Sequence, residues 1–135
     1  RKLAGPATAG ALHVLPAPVR IYDSRPGSTP SQGPKTKLAG NIARALDCKV
    51  NNSGVPAGAA AVALTVLLVN ASNANGNLTV WANGAARPAS NTIVWGAGSG
   101  RYTTSTLCAL DTAAKLQVSA SAATDLVLDI VGYYR

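Results

Sequence analysis

Apolar and polar positions alternate with a period of two through much of this sequence, and one stretch interrupts the alternation. From Val55 to Val69 (VPAGAAAVALTVLLV) both parities are apolar. Val62, Leu64, Val66 and Leu68 fall on one face of an extended chain, and Ala61, Ala63, Leu67 and Val69 on the other. A strand covered on both sides reads this way, and so does a buried helix. The flanks decide for a central strand: Val-Pro-Ala-Gly in front and Asn70–Asn77 behind are turn material, and Val and Thr recur inside. The Asn70–Asn77 segment is expected to be a hairpin-type loop, with Leu78–Trp81 as the return strand.

Shorter strands are expected on both sides of this run. Residues 1–11 read as a small, polar N-terminal arm or linker, and residues 12–135 as one domain. Pro16 and Pro18 confine the segment from Ala11 to Pro18 to an edge strand or an extended lead-in. Val19–Tyr22 is a short strand that ends in the turn Asp23-Ser24-Arg25-Pro26-Gly27. Ser28–Thr36 is rich in Pro, Gly and Ser and is expected to be a mobile surface loop. Leu38–Val50 ends as a strand, with Ile42, Leu46, Cys48 and Val50 alternating. Further strands are expected over Ala89–Trp95, Tyr102–Leu110, Lys115–Ala120 and Thr124–Tyr134, with Gly96–Gly100 as a flexible glycine turn. Short strands at this spacing with no helical period predict an all-β chain: an antiparallel β-sandwich, jelly-roll-like, with many strand pairs joined as hairpins.

Composition narrows the core and the partners. Hydrophobic residues make up 47% of the 135, aromatics only 4%, with no Phe or Met. The core is therefore Val, Leu, Ile and Ala. Glu is absent, which removes the usual surface residue of helices. The net charge of +7 favours anionic partners. The basic residues are scattered, however, and no aromatic lies among Lys35 and Lys37, so no specific nucleic-acid site is expected. The longest apolar run is short of the roughly 20 residues of a membrane helix. A first residue of Arg is expected of a chain that is processed, trimmed or part of a longer product.

Few residues could carry chemistry. His13 is the lone histidine, beside prolines, so a Ser-His-Asp triad is not expected. Asp125 and Asp129 stand about 13 Å apart on an extended strand, too far for a catalytic pair. Gly96–Gly100 lacks the Lys-Ser/Thr of a phosphate loop. Three Asn-x-Ser/Thr matches (Asn51, Asn70, Asn77) are of the kind that turn-rich sequences produce by chance. Cys48 and Cys108 form either a disulfide, worth about 4 kcal/mol in chain entropy, or two buried free thiols. Asp23 and Arg25 are expected to form a half-buried ion pair fixing the first turn, with Asp125 or Asp129 as further partners for the arginine. The alternative is an arginine that grips an anion. Trp81 and Trp95 lie near glycine turns and belong either to the core or to a surface that stacks sugars or anchors a protein.

Five segments together resemble a known family: Val19–Arg25 (VRIYDSR), Val55–Val66 (VPAGAAAVALTV), Gly76–Trp81 (GNLTVW), Arg87–Asn91 (RPASN) and Thr124–Tyr134 (TDLVLDIVGYY). They are similar, in order, to the motifs R-[VI]-[YF]-D-[ST]-R, VPAGA-x-AV, G-[FY]-LTV, RP-x-x-SN and VGYY of an actinobacterial surface-module family. That family occurs in secreted actinobacterial proteins and in capsid-surface and tail proteins of their phages. This chain departs from the pattern at Thr65, where Asn is usual, and in its two cysteines. The resemblance implies a β-sandwich that is not an enzyme, with no cofactor and no metal. It implies a virion-surface module, a capsid decoration or tail-associated protein that binds virion shell or tail proteins and associates with itself. The alternative is an extracellular or cell-wall module of a secreted protein that binds cell-wall glycan through Trp81, Trp95 and Arg87. No catalytic residue carries over from the family.

Overall fold

The computed structural model describes residues 10–98 and 100–135. Eight strands follow one another: β1 (Leu12–Asp23), β2 (Arg44–Asp47), β3 (Ala61–Ala71), β4 (Gly76–Ala82), β5 (Ile93–Trp95), β6 (Gly100–Ala109), β7 (Lys115–Ala120) and β8 (Asp125–Tyr134). They form two four-stranded sheets, ordered β1-β8-β3-β6 and β2-β7-β4-β5, and every pairing is antiparallel. The pairs β1·β8, β2·β7, β3·β6 and β4·β5 nest around the connection between β4 and β5. The chain is thus one antiparallel ribbon, doubled at its midpoint and wrapped over itself, which is a jelly-roll sandwich.

The run at residues 55–69 is corrected in two ways. The strand begins at Ala61; Val55–Ala60 forms a turn in which Gly58 has a φ of +86°. Only one face of the strand is fully covered. Val62, Leu64, Val66 and Leu68 are completely buried, while Ala61, Ala63, Thr65, Leu67 and Val69 are half-exposed on the outside. The inner face packs with Leu46, Leu78, Leu116, Val118, Leu126, Leu128 and Ile130 in the core. Each such Leu or Ile stabilises the fold by about 1.5–3 kcal/mol.

The expected hairpin after β3 is also corrected. Asn70 adopts a φ of +55°, and Ser72 N–H bonds Ala123 O at 2.8 Å, so the chain leaves the first sheet and β4 starts in the second. Only β4 and β5 are neighbours both in sequence and in a sheet. Hairpins are few because covering the inner face of β3 requires the next strand to lie across from it rather than beside it. The segment from Ala11 to Pro18 is no mere lead-in: it forms one strand with Val19–Asp23, irregular between Val14 and Val19 and between Arg20 and Tyr22. Ile42, expected among the strand residues, is exposed before β2.

The first side of the sandwich is closed by side chains from the loop between β1 and β2. Gln32 Nε2 donates to Ile21 O at 2.6 Å and Asp47 O at 3.2 Å, while its Oε1 accepts from Asp47 N–H at 2.7 Å. Its amide takes the place of a peptide group between the β1 and β2 edges. Lys35 Nζ donates to Asp23 O and Pro30 O, both at 2.7 Å, and Tyr22 OH donates to Pro34 O at 2.5 Å. The Ser28–Thr36 loop, expected to be mobile, is therefore bonded to the strands beneath it. The expected N-terminal arm lies largely outside the described residues; Gly10 N–H bonds Arg135 O, and Arg135 N–H bonds Ala11 O at 3.1 Å.

Candidate functional site

The acidic corner at the end of β1 is a structural knot. Asp23 is buried and accepts from Arg25 Nε (2.9 Å), Nη2 (2.7 Å) and backbone N–H (3.1 Å). This arginine holds the Asp23 carboxyl below the usual carboxylate range, against the opposing effect of burial. The expected ion pair is present, but Arg25 does not reach across to the other acids. Asp129 accepts from Arg20 at 2.9 and 3.3 Å, and Asp125 from Ser24 Oγ at 2.9 Å and Asn70 Nδ2 at 3.2 Å. Ser24 Oγ in turn accepts from Leu126 N–H at 2.8 Å. Each carboxylate here already has its partners, and the corner locks the first turn onto β8. His13 lies on the other end of β1, stacked on Tyr133 with ring centroids 4.9 Å apart.

The tryptophans do not form a binding surface. Trp95 is 3% exposed, within the core, and its ring lies over Gly76, where a Cβ would approach Cζ2 to 2.2 Å. Trp81 is 8% exposed and donates from Nε1 to Ala85 O at 3.0 Å. It faces away from Leu78 and Val80, on the outer side of the second sheet, and the segment after β4 folds over it. The sequence leaves two readings open for these rings, core or stacking surface, and both rings are found covered. Arg87 is exposed in the segment that follows β4. Cys48 and Cys108 are not bonded to each other; both are buried free thiols. Cys48 N–H bonds Ala114 O at 3.0 Å, while Cys108 sits on β6 opposite Val62, so each fills core space as a small apolar group. Burial pushes both thiols well above their ordinary range.

The positive charge is largely spent on the protein itself. Arg44 donates to Tyr22 OH (2.8 Å), Thr36 O (2.6 Å) and Lys37 O (2.9 Å). Lys37 Nζ reaches Asn70 O at 3.1 Å, and Lys49 Nζ bonds Asp47 at 2.9 Å as well as Ala113 O. Together with Arg20, Arg25 and Lys35, six of the ten basic side chains among the described residues hold loops or acids of this chain. An open cleft of about 420 Å³ lies where β3 bulges from β6, lined by Val69, Asn70, Gly100 and Arg101. Its one amide already serves Asp125. Among the described residues, no group of three His, Cys, Asp or Glu side chains is placed to hold a metal ion.

The surface that stands out is one the sequence reading did not identify. Register aligns two rows across all four strands of the first sheet: Leu12–Tyr134–Ala61–Ala109 and Val14–Gly132–Ala63–Leu107. Residues paired in register share a face, and here it is the outer one. None of the eight is charged; Leu12 is 50% exposed, Val14 73% and Leu107 62%. Beyond it lies a polar row, Arg20–Asp129–Thr65–Ser105. The only signal in the sequence was the apolar second parity of β3, which reads as coverage by another layer.

No family model matches the chain, and no curated protein matches it.

Proposed function

We propose that this chain is a non-catalytic assembly module that docks on other proteins, as a capsid-decoration or tail-associated protein on the virion of an actinobacterial phage. The observation that carries the reading is the uncharged outer end of the first sheet. An exposed apolar patch built from four strands is what a protein-binding surface requires, and a monomeric surface seldom carries one without use. The patch includes Leu12 and Val14, the first strand residues after the N-terminal segment. The five family-like segments supply the virion and actinobacterial part of the reading. The cell-wall-glycan alternative loses its support with the two tryptophans, which are covered.

The test is size-exclusion chromatography with light scattering at low and high salt. An assembly that keeps its mass at high salt is expected, because apolar contacts are not screened. A monomer under both conditions would overturn the self-assembling form of this reading.

A further inference from the structure

Among the described residues the two sheets have four outer strand edges, and these are guarded unequally. On β1, Pro16 and Pro18 lack an N–H, and the carbonyls of Arg20, Ile21 and Asp23 are taken by Asn51 (2.9 Å), Gln32 (2.6 Å) and Lys35 (2.7 Å). The β2 edge is four residues long, and Gln32 bonds both main-chain groups of Asp47. The β5 edge is three residues long. By contrast, β6 runs for ten residues, pairs among the described residues only with β3, and keeps one register from Tyr102 to Ala109 without a bulge. It holds no proline and a single charge, Arg101. Among the described residues, hydrogen bonds to its main chain from outside the ladder come only from its own Thr106 and Cys108 side chains, at 3.3 and 3.2 Å.

Folded proteins guard edges because a row of unpaired N–H and C=O groups is a template for another strand. We propose that the β6 edge pairs antiparallel with β6 of a second copy, joining two first sheets into one eight-stranded sheet across a two-fold axis. This rests on the assembly reading above and places the contact at the edge of the first sheet, where Leu107 and Ala109 are shared with the apolar patch on its outer face. The sequence of β6 suits itself as partner. Centred on Ser105, the pairing sets Thr103 against Leu107 and Arg101 against Ala109. Such polar and aliphatic cross-strand pairs are favourable, and no like charges meet. The two arginines end about 27 Å apart, beyond a Debye length at physiological salt, so a chain of charge +7 meets its copy along a neutral strip. Because the other three edges are blocked or short, pairing closes at two copies instead of continuing as a filament.

The experiment compares wild type, Ser105→Lys and Val14→Asp by light scattering over a dilution series, with hydrogen exchange of the β6 amides. Both substituted side chains lie on the exposed outer face, so the variants fold, which circular dichroism checks. Wild type is expected as a dimer with protected β6 amides. Ser105→Lys brings two ammonium groups to the axis and is expected to weaken the dimer about tenfold or more and to release that protection, whereas Val14→Asp leaves both unchanged. An assembly that survives Ser105→Lys but is dissociated by Val14→Asp overturns the edge pairing and leaves the assembly reading standing on the apolar patch. A wild-type monomer at both salt conditions overturns the edge pairing together with the self-assembling form of the reading above. An unpaired β6 that gains protection only when an extended peptide is added overturns self-pairing in favour of a foreign strand.

Discussion

Gln32→Ala removes a loop side chain that bonds main-chain groups of both the β1 and the β2 edge. Three hydrogen bonds of 2.6, 2.7 and 3.2 Å are lost, and the carbonyl of fully buried Ile21 loses its donor. A typical hydrogen bond contributes about 0.5–1.5 kcal/mol net, and a stranded buried carbonyl costs about 1–3 kcal/mol. Gln32 itself is half-buried, so water replaces part of what is lost. The expected destabilisation is about 2 kcal/mol, or about 6 °C in Tm for a domain of this size. Urea titration followed by circular dichroism reads it directly. Gln32→Glu sharpens the test. It keeps the acceptor for Asp47 N–H but sets a carboxylate against the carbonyls of Ile21 and Asp47. Protonation restores a donor, so the carboxyl pKa in the folded variant is raised above its unfolded value. Its deficit relative to wild type is therefore expected to shrink as pH falls through that raised value. An alanine variant within about 0.5 kcal/mol of wild type, the usual scatter of surface substitutions, refutes the bridging role; so does a glutamate variant whose deficit ignores pH.

Other expectations can be checked on the same apparatus. Gly76→Ala places a methyl 2.2 Å from Trp95 Cζ2 and 2.5 Å from Cε2, against a ring that is 3% exposed; a loss of about 1–3 kcal/mol with a shifted tryptophan emission is expected in urea titration. Asp23, Asp47 and Asp111 all have folded pKa values below their unfolded ones, so their stabilisation is complete above about pH 4 and disappears as pH falls through the folded values. Asp23→Asn is expected to flatten that acid slope while lowering stability at neutral pH, read as the urea midpoint against pH. The thiols of Cys48 and Cys108 are expected to resist a thiol reagent in buffer and to react only as urea unfolds the chain. Immediate labelling of the native protein would show that the core around them is open.

Strand content was legible wherever period two ran unbroken. Lys115–Ala120 has the bounds its alternation predicts, and β6 and β8 differ from theirs by a residue or two. Alternation marks which side chains share a face; it does not mark which sheet a strand joins, and so the pattern alone sets β4 beside β3, whereas the fold sets it across the sandwich. β1 was cut short because two irregularities and two prolines disrupt the pattern that would have joined its halves. Trp81 was ambiguous because the outer face of the second sheet carries its own cover, a segment of turn-forming residues whose destination no local pattern states. The apolar patch was least legible of all. Its eight residues come from β1, β3, β6 and β8, and only the nested pairing sets them side by side.

The nested ribbon also governs how this chain can acquire its structure. β8 lies between β1 and β3, so the first sheet has no continuous ladder until the last strand is available. Apart from β4 with β5, each pairing closes a loop far longer than a hairpin, and topologies dominated by such distant contacts fold over about milliseconds to seconds. On a ribosome, the apolar β3 must wait unpaired on its β8 side while more than fifty further residues are synthesised. Zipping from the β4–β5 turn outward is the order of events with the smallest entropic cost at each step. A chain arrested before Asp125 would hold the second sheet's strands complete and leave β1 with no partner at all.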